Sequence, residues 1–219
     1  MNNRISITNG SFDFVAPFYV ALERLSFGDE LNFARRAFIE TVLHAENTLL
    51  VGEGNGRFLF DCLQSKTGGA VTILDSSRKM LDLLTRRIKK VRHQTELRVI
   101  CDGILNWQPE NMPGFDVVVT HFFLDLFRPT CQRSVIEKIT HLAKPETFWI
   151  NIDYHPFNKK GLLRFIDWLQ YRFDWLLSGV ETDRHYDPSA FIREFGWIVR
   201  EERHFLNGTV VAQLLARGS

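Results

Sequence analysis

The most informative stretch of this chain for its fold is Leu49-Leu50-Val51-Gly52-Glu53-Gly54-Asn55-Gly56-Arg57-Phe58. An apolar run typical of a buried strand leads into a turn with three glycines, and a helix is predicted to begin near Arg57. Glycine lets the backbone turn tightly and approach a ligand closely, because it has no Cβ. The start of the helix offers unpaired N–H groups that favour a carboxylate or a phosphate. A nucleotide-like ligand is therefore predicted, and a purely structural turn is the alternative.

Further apolar runs follow at intervals that are each long enough for a helix. The predicted strands are residues 48–51, 70–74, 97–100, 115–120 and 147–152. Unbroken Val/Ile/Leu runs are typical of strands buried on both faces, and their spacing favours βαβ units in a parallel sheet. We therefore predict the α/β class, with a doubly wound, Rossmann-like sheet and helices on both of its faces.

Helical patterns lie on both sides of these strands. Apolar residues between 12 and 43 recur at helical spacing with a break near Phe27-Gly28-Asp29, which predicts two helices. Residues 162–177 form a predicted helix that is rich in aromatic residues and apolar around most of its circumference. One interpretation makes this helix a lid over an apolar substrate pocket, and the other makes it core or a homodimer face.

The C-terminal part carries a hairpin signal. Residues 188–196 form a predicted helix with proline near its first turn and glycine at its end. Two strands, residues 198–205 and 209–216, then flank Asn207-Gly208, a pair typical of hairpin turns.

Composition favours one globular domain. Of 219 residues, 45% are hydrophobic and 24% are charged, the ordinary balance of globular proteins. A net charge of +1 argues against a nucleic-acid binder, and the basic cluster at residues 86–90 is interpreted as a solvated helix face. No apolar run suggests a signal peptide or a membrane span. Cys62, Cys101 and Cys131 form no CxxC pair and are interpreted as buried small hydrophobes, so a cytoplasmic location is expected.

Acidic residues follow the next two strands at the same edge of the predicted sheet. Asp75 lies about 20 residues beyond the glycine loop, where a carboxylate can accept hydrogen bonds from both hydroxyls of a ribose. Its alternative role is the N-cap of the helix that carries Met80. Asp102 is placed to accept a hydrogen bond from an adenine amine, with Ile104 and Met80 against the ring. Doubly wound folds bind ligands at this edge.

The glycine spacing separates two cofactor classes. The dinucleotide fingerprint requires a third glycine where this chain has Arg57, which disfavours a pyrophosphate at the helix start. The pattern Gly52-x-Gly54-x-Gly56, with an acid after each of the next two strands, instead resembles class I S-adenosylmethionine-dependent methyltransferases of the small-molecule type. The resemblance covers most of the chain and implies a seven-stranded sheet, mostly parallel with an antiparallel last strand. It also implies the cofactor S-adenosyl-L-methionine and the product S-adenosyl-L-homocysteine.

The resemblance also implies which residues bind the cofactor. The three glycines would flank its methionine part, Asp75 the ribose and Asp102 the adenine. The full predicted set is Gly52, Glu53, Gly54, Asn55, Gly56, Asp75, Ser76, Met80, Asp102, Gly103, Ile104 and Thr120. Many family members carry an acid two residues before the first glycine, where this chain has Leu50. Glu53 or Arg57 would have to compensate for that acid.

The chain is expected to be one methyltransferase domain in four parts. These are an N-terminal helical cap (1–46), the cofactor-binding core (47–153), a helical substrate-cap insertion (156–187), and the last helix with the hairpin (188–219). The expected acceptor is a small, lipophilic or aromatic molecule. Residues predicted to contact it are Tyr19, Phe122, Phe123, Asp153, Tyr154, Phe165 and Trp168.

Methyl transfer from a sulfonium is an in-line displacement, so the protein mainly holds the nucleophile opposite the S–CH3 bond. A base helps when the acceptor is a hydroxyl or an acidic carbon. The candidates are His121, Asp125 and His155, with Asp153 beside His155 as a second acid/base pair. A packing role for His121 and a metal site from these four side chains are the alternatives. O-, N- and C-methylation all stay open.

Two other functions are compatible with such a sheet. One is an NAD- or nucleotide-dependent oxidoreductase, against which the missing third glycine argues. The other is a methyltransferase-like binding module without catalysis, because fold alone does not establish activity.

Overall fold

The computed structural model describes residues 29–109, 114–154 and 187–218. Its helices are α1 (Glu30–Arg35), α2 (Ile39–Leu43), α3 (Arg57–Leu63), α4 (Arg78–Ile88), α5 (Pro129–Leu142) and α6 (Ser189–Glu194). Its strands are β1 (Asn47–Val51), β2 (Ala70–Asp75), β3 (Glu96–Cys101), β4 (Phe115–His121), β5 (Ala143–Tyr154), β6 (Trp197–Phe205) and β7 (Val210–Arg217). Outside the described residues lie the predicted helices in 12–27 and 162–177, and the predicted site residues Tyr19, His155, Phe165 and Trp168.

The strands form one seven-stranded sheet in the order β3-β2-β1-β4-β5-β7-β6. Strands β1 to β5 are parallel, and β7 lies antiparallel between β5 and β6. This confirms the predicted doubly wound sheet with its antiparallel last strand. The strand order reverses between β1 and β4, and a crevice forms beyond the carboxyl ends of the strands at such a point. The glycine loop follows β1 and therefore lies at this crevice.

Each face of the sheet packs against its own set of helices. Helices α1 to α4 cover the face that carries Leu50, Val119 and Ile152, which we name the α3 face. Helices α5 and α6 cover the opposite face, with Val118 and Trp149, which we name the α5 face. Alternate residues of a strand point to opposite faces, so the register of β4 and β5 determines which side chains can meet.

Three local predictions are wrong in detail. Residues 29–43 form two short helices rather than one, because the helix breaks over residues 36–38. The third strand is not buried on both faces: β3 is an edge strand, and Val99 is 43% exposed. Of the cysteines, Cys62 is buried, whereas Cys101 and Cys131 are half-buried.

The C-terminal hairpin is confirmed. Leu206, Asn207 and Gly208 all adopt left-handed φ angles, of 51°, 54° and 80°, in the turn between β6 and β7. Within the described ranges, no helix has the length and apolarity needed to cross a membrane.

Candidate functional site

The three loop glycines differ in what surrounds them. All have left-handed φ angles, 68° at Gly52, 63° at Gly54 and 76° at Gly56. A Cβ at Gly52 would collide with the ring of Phe123, and one at Gly56 would lie 2.7 Å from Cγ of Leu84. A Cβ at Gly54 would meet no atom within 4 Å. Gly52 and Gly56 therefore allow the protein to pack against itself, whereas Gly54 borders open space where a ligand can approach.

Asp75 connects the ends of β1 and β2. Its Oδ2 accepts a hydrogen bond from the N–H of Gly54 at 2.9 Å, and its Oδ1 accepts one from the N–H of Ser77 at 2.8 Å. Burial raises the pKa of Asp75, although both hydrogen bonds act in the opposite direction. The N-cap of α4 is Ser77, whose Oγ accepts from the N–H of Met80 at 3.3 Å. The alternative that Asp75 caps this helix is therefore wrong.

Asp102 lies beside Asp75 at the same edge. Cys101 is in register with Asp75, so Asp102 comes directly after the end of β3. Its Oδ1 accepts a hydrogen bond from the N–H of Gly103 at 2.7 Å. Ile104 is buried in the core of the α5 face, while Met80 and Ser76 are half-buried. The two predicted acids thus lie together at the carboxyl edge of the sheet.

Glu53 caps the helix that follows the loop. Its Oε1 accepts a hydrogen bond from the N–H of Leu59 at 2.9 Å. Glu53 as a whole is half-buried, and burial of its carboxyl raises the pKa to about 7, while the hydrogen bond from Leu59 and the charge of Arg35 oppose the rise. The protein's own carboxyl therefore occupies part of the helix start that was expected to receive a ligand anion.

Arg35 lies near the end of β4, at a position that the sequence analysis did not predict. It extends from α1, with its guanidinium carbon 5.0 Å from the ring centroid of Phe122 and its Nη1 donating to Oδ1 of Asn32 at 3.4 Å. Its positive charge opposes the rise in the pKa of Glu53 and adds to the fall in the pKa of His121 that burial causes. An arginine on a short amphipathic helix carries no motif, so only the packing of α1 against the sheet could reveal this position.

Two consecutive phenylalanines follow β4 and point to different faces of the sheet. Phe122 has a left-handed φ of 53°, and its N–H donates to the carbonyl of Ile152 at 2.6 Å. Its ring lies 5.0 Å from that of Tyr154, on the α3 face. Phe123 packs on the α5 face, where its ring is 5.0 Å from that of Phe127 and against Gly52. Aromatic surface therefore borders the end of β4 on both sides.

His121 is buried on the α3 face. Its ring packs edge-on against Phe58, with 4.6 Å between the centroids. Neither ring nitrogen has a hydrogen-bond partner among the described residues, and only 8% of the residue is exposed. Burial, together with the charge of Arg35, lowers the pKa of His121 to about 3. The imidazole is therefore neutral at physiological pH.

Asp153 lies on the other face of the sheet. His121 is in register with Ile152, so the next residue of β5 points away from the imidazole. Oδ1 of Asp153 accepts from the N–H of Phe123 at 3.1 Å, and burial together with Asp125 raises its pKa well above the usual range. His121 and Asp153 therefore cannot act as one pair. No group of three potential metal ligands occurs within the described ranges, so the alternative of a metal site has no support there.

Thr120 belongs to a buried network between β4 and β5. Its hydroxyl donates to Oδ1 of Asn151 at 2.8 Å and accepts from Nε1 of Trp149 at the same distance. The residue is fully buried. Its hydroxyl is thus engaged within the sheet and does not face the crevice.

A family comparison adds to this geometry. Residues 49–148, which run from β1 into β5, match the family model of a methyltransferase domain. These residues are therefore similar to a methyltransferase domain. The glycine loop, Asp75 and Asp102 all lie within the matched residues. No curated protein sequence matches the chain.

Solved structures of methyltransferases share the fold of this chain. The N-methyltransferase NodS from Bradyrhizobium japonicum aligns with a TM-score of 0.63 at 13% identity, covering 88% of this chain and 98% of NodS. The 1,6-didemethyltoxoflavin-N1-methyltransferase of Burkholderia thailandensis, solved with S-adenosylhomocysteine, aligns with a TM-score of 0.64 at 13% identity, covering 95% and 87%.

A protein of the O-methyltransferase family from Burkholderia thailandensis aligns with a TM-score of 0.69 at 16% identity. The alignment covers 94% of this chain but only 59% of that protein. The chain therefore spans about three fifths of this longer relative, and nearly all of NodS. At these identities, the likeness establishes the methyltransferase fold.

Proposed function

We propose that the chain transfers the methyl group of S-adenosyl-L-methionine to a small molecule. The observation that carries this proposal is the junction of Gly54 and Asp75 at the crevice. There a glycine bordered by open space is hydrogen-bonded to the carboxylate that follows the second strand. The match of residues 49–148 to a methyltransferase domain favours methyl transfer over the hydride transfer of an oxidoreductase.

The cofactor is proposed to lie along the ends of β1, β2 and β3. Gly54 would allow its methionine part to approach, Asp75 would accept hydrogen bonds from the ribose, and Asp102 would contact the adenine. Gly52, Glu53, Asn55, Gly56, Ser76, Met80, Gly103 and Ile104 complete the proposed set. Thr120 is left out because its hydroxyl is engaged by Asn151 and Trp149.

The acceptor is proposed to bind beyond β4 and β5, where Phe122, Phe123 and Tyr154 present aromatic surface. This supports a lipophilic or aromatic acceptor. Asp153 is better suited to holding the loop after β4 than to contacting the acceptor, because its carboxyl accepts a hydrogen bond from the N–H of Phe123. Roles for Tyr19, Phe165 and Trp168 stay predictions.

Catalysis is proposed to rest on positioning. An effective general base has a pKa near the working pH. The pKa of His121, about 3, makes it a weak base and suits it to hydrogen bonding. The roles of Asp125 and His155 as acid or base stay predictions. The chain's main contribution would be to align the nucleophile with the methyl group.

Isothermal titration calorimetry with S-adenosylhomocysteine tests the cofactor. We expect saturable binding in the micromolar range for the native chain, and a loss of at least about tenfold for Asp75→Ala. Asp82→Ala, an exposed aspartate on α4, is the matched control and should bind normally. Binding of NAD in place of S-adenosylhomocysteine would overturn the proposal. Cofactor binding without turnover on any acceptor would favour the non-catalytic binding module.

A further inference from the structure

The carboxyl of Glu53 is buried inside the loop that is proposed to bind the cofactor. The residue stands between Gly52 and Gly54, and Gly54 borders open space that a ligand can approach. Oε1 of Glu53 accepts a hydrogen bond from the N–H of Leu59 at 2.9 Å. The N–H of Gly54 is in turn held by Asp75, at 2.9 Å. A buried carboxyl therefore belongs to the same turn of chain as the glycine that faces the proposed ligand.

This carboxyl has no ion-pair partner among the described residues. Burial raises the pKa of Glu53 to about 7, and its backbone hydrogen bonds and the charge of Arg35 on α1 oppose the rise, whereas the charge of Asp75 adds to it. The other titratable groups that interact with it are Arg87 on α4 and the buried thiol of Cys62 on α3. At neutral pH the carboxyl is therefore divided between its neutral and its charged form.

The proposed cofactor and its product differ by one positive charge. The sulfur of S-adenosylmethionine is a sulfonium, and that of S-adenosylhomocysteine is a neutral thioether. A positive charge nearby favours the ionised form of a carboxyl, and it acts more strongly where burial excludes water. A sulfonium in the crevice beside Gly54 would therefore act on Glu53 in the same direction as Arg35, whereas a thioether would not.

We propose that Glu53 makes the loop selective for the charged cofactor over its product, by releasing a proton to solvent when S-adenosylmethionine binds and keeping it when S-adenosylhomocysteine binds. This inference rests on the proposed function and adds a residue that determines cofactor specificity. The ionised carboxylate attracts the sulfonium, so the cofactor is held more tightly as the pH rises toward 7. Once the methyl group has left, the carboxyl takes up a proton again, and the product is held less tightly.

Asp75 is the other carboxyl of the loop whose pKa is raised by burial. Its two oxygens already accept hydrogen bonds from the N–H groups of Gly54 and Ser77. Its proposed partner is the ribose, which is identical in the cofactor and the product. A difference in proton release between these two ligands is therefore expected from Glu53 and not from Asp75, and the test must separate the two carboxyls.

The test is isothermal titration calorimetry at about pH 6.5 in phosphate and in imidazole, because the difference in buffer ionisation enthalpy counts the protons released. The native chain should release about half a proton per S-adenosylmethionine and almost none per S-adenosylhomocysteine. Its affinity for S-adenosylmethionine should also rise about fivefold from pH 5.5 to 7.5. Glu53→Gln should release no proton with either ligand and lose this pH dependence. Glu40→Gln, at an exposed position on α2, is the matched control and should behave as the native chain does.

The remaining outcomes contradict the proposal. Equal proton release with the two ligands, or none with S-adenosylmethionine, would overturn it on the native chain alone, so the test holds even if Glu53→Gln does not fold. Proton release that persists in a folded Glu53→Gln variant would assign the proton to another group, such as Asp75, and would also overturn it. Circular dichroism shows whether each variant is folded. If the native chain binds neither ligand, the proposed function itself has failed.

Discussion

Gly54 and Asp75 are joined by a hydrogen bond from the backbone N–H of the glycine to Oδ2 of the aspartate, at 2.9 Å across 21 residues of chain. The other carboxylate oxygen accepts from the N–H of Ser77. One side chain thus fixes the glycine loop after β1 relative to the turn after β2. The protein's own hydrogen bonds therefore align two elements of the proposed cofactor site.

Asp75→Asn should lower the stability of the ligand-free protein. An amide has one acceptor oxygen, so one of the two N–H groups loses its partner and faces an NH2 group instead. We expect the free energy of unfolding to fall by about 1 to 3 kcal/mol. Urea denaturation measures the change, with exposed Asp82→Asn as the control. Equal stability of Asp75→Asn and the control would show that this link is not significant.

Two glycine substitutions should separate folding from binding. Gly56→Ala places a Cβ 2.7 Å from Leu84 at a left-handed φ, and should cost about 2 to 4 kcal/mol of stability. Gly54→Ala meets open space and should cost only about 1 to 2 kcal/mol, but its methyl group would stand where the ligand approaches. Urea denaturation and calorimetry with S-adenosylhomocysteine measure both effects. The opposite ranking of stabilities would contradict the loop geometry.

Lys66→Met should destabilise the junction between α2 and β1. Lys66 is buried, and its Nζ donates to the carbonyls of Val42 at 2.9 Å and Ala45 at 2.5 Å. Methionine has a similar shape but cannot donate, so the carbonyl of Ala45 loses this hydrogen bond and the carbonyl of Val42 keeps only the N–H of Ala45 at 3.3 Å. We expect a loss of about 2 to 3 kcal/mol, measured by thermal and urea unfolding. Lys90→Met, at an exposed position after α4, should stay within about 0.5 kcal/mol of the native chain.

His121 should make the folded state sensitive to acid. Its pKa is about 3 in the fold against 6.5 in an unfolded chain, so between these values the unfolded state binds the extra proton. The contribution of the neutral His121 to the free energy of unfolding is therefore fully present above pH 6.5, and it is lost as the pH falls toward 3. Between these two pH values, the free energy of unfolding falls by up to about 1.4 kcal/mol per pH unit. His121→Gln should flatten this part of the profile, whereas exposed His141→Gln should leave it unchanged.

Glu53 should act in the opposite pH direction. Burial raises its pKa from 4.5 to about 7, so the folded state keeps a proton that the unfolded state has released. Its contribution is fully present below pH 4.5 and is lost as the pH rises through 7. Glu53→Gln keeps an acceptor for the N–H of Leu59 and should lose less stability than the native chain between pH 5 and 8. Over this range, the loss in the free energy of unfolding should be smaller in Glu53→Gln than in the native chain by about 1 to 3 kcal/mol. Glu40→Gln, at an exposed position, should lose as much as the native chain.

The predicted strands, the hairpin and the loop conformation follow from local chemistry. Parallel strands buried between helices need unbroken apolar runs, and those runs are visible without knowing the neighbours. Asn207-Gly208 and the three loop glycines mark backbone that must adopt left-handed φ angles. The edge strand β3 is the exception, because nothing local in an apolar run reveals whether a helix covers it.

The residues of the candidate site could likewise be predicted only in part from the sequence. The positions of Asp75 and Asp102 at one edge follow from strand ends in a parallel sheet. His121 and Asp153 lie on opposite faces of the sheet because of the register of β4 against β5. A register shift of one residue would place them on the same face. The position of Arg35 depends on how α1 packs on the sheet. The effect of its charge on the pKa values of Glu53 and His121 depends on distances that only the fold sets.

The sheet class, the glycine loop and the acids that follow it can be predicted from the sequence alone, because periodicity and glycine act over a few residues of chain. Three features become visible only in the folded chain: Gly54 alone of the loop glycines borders open space, Glu53 caps α3, and Arg35 faces the end of β4. These are contacts between residues distant in sequence, and burial and charge depend on every element that packs around them.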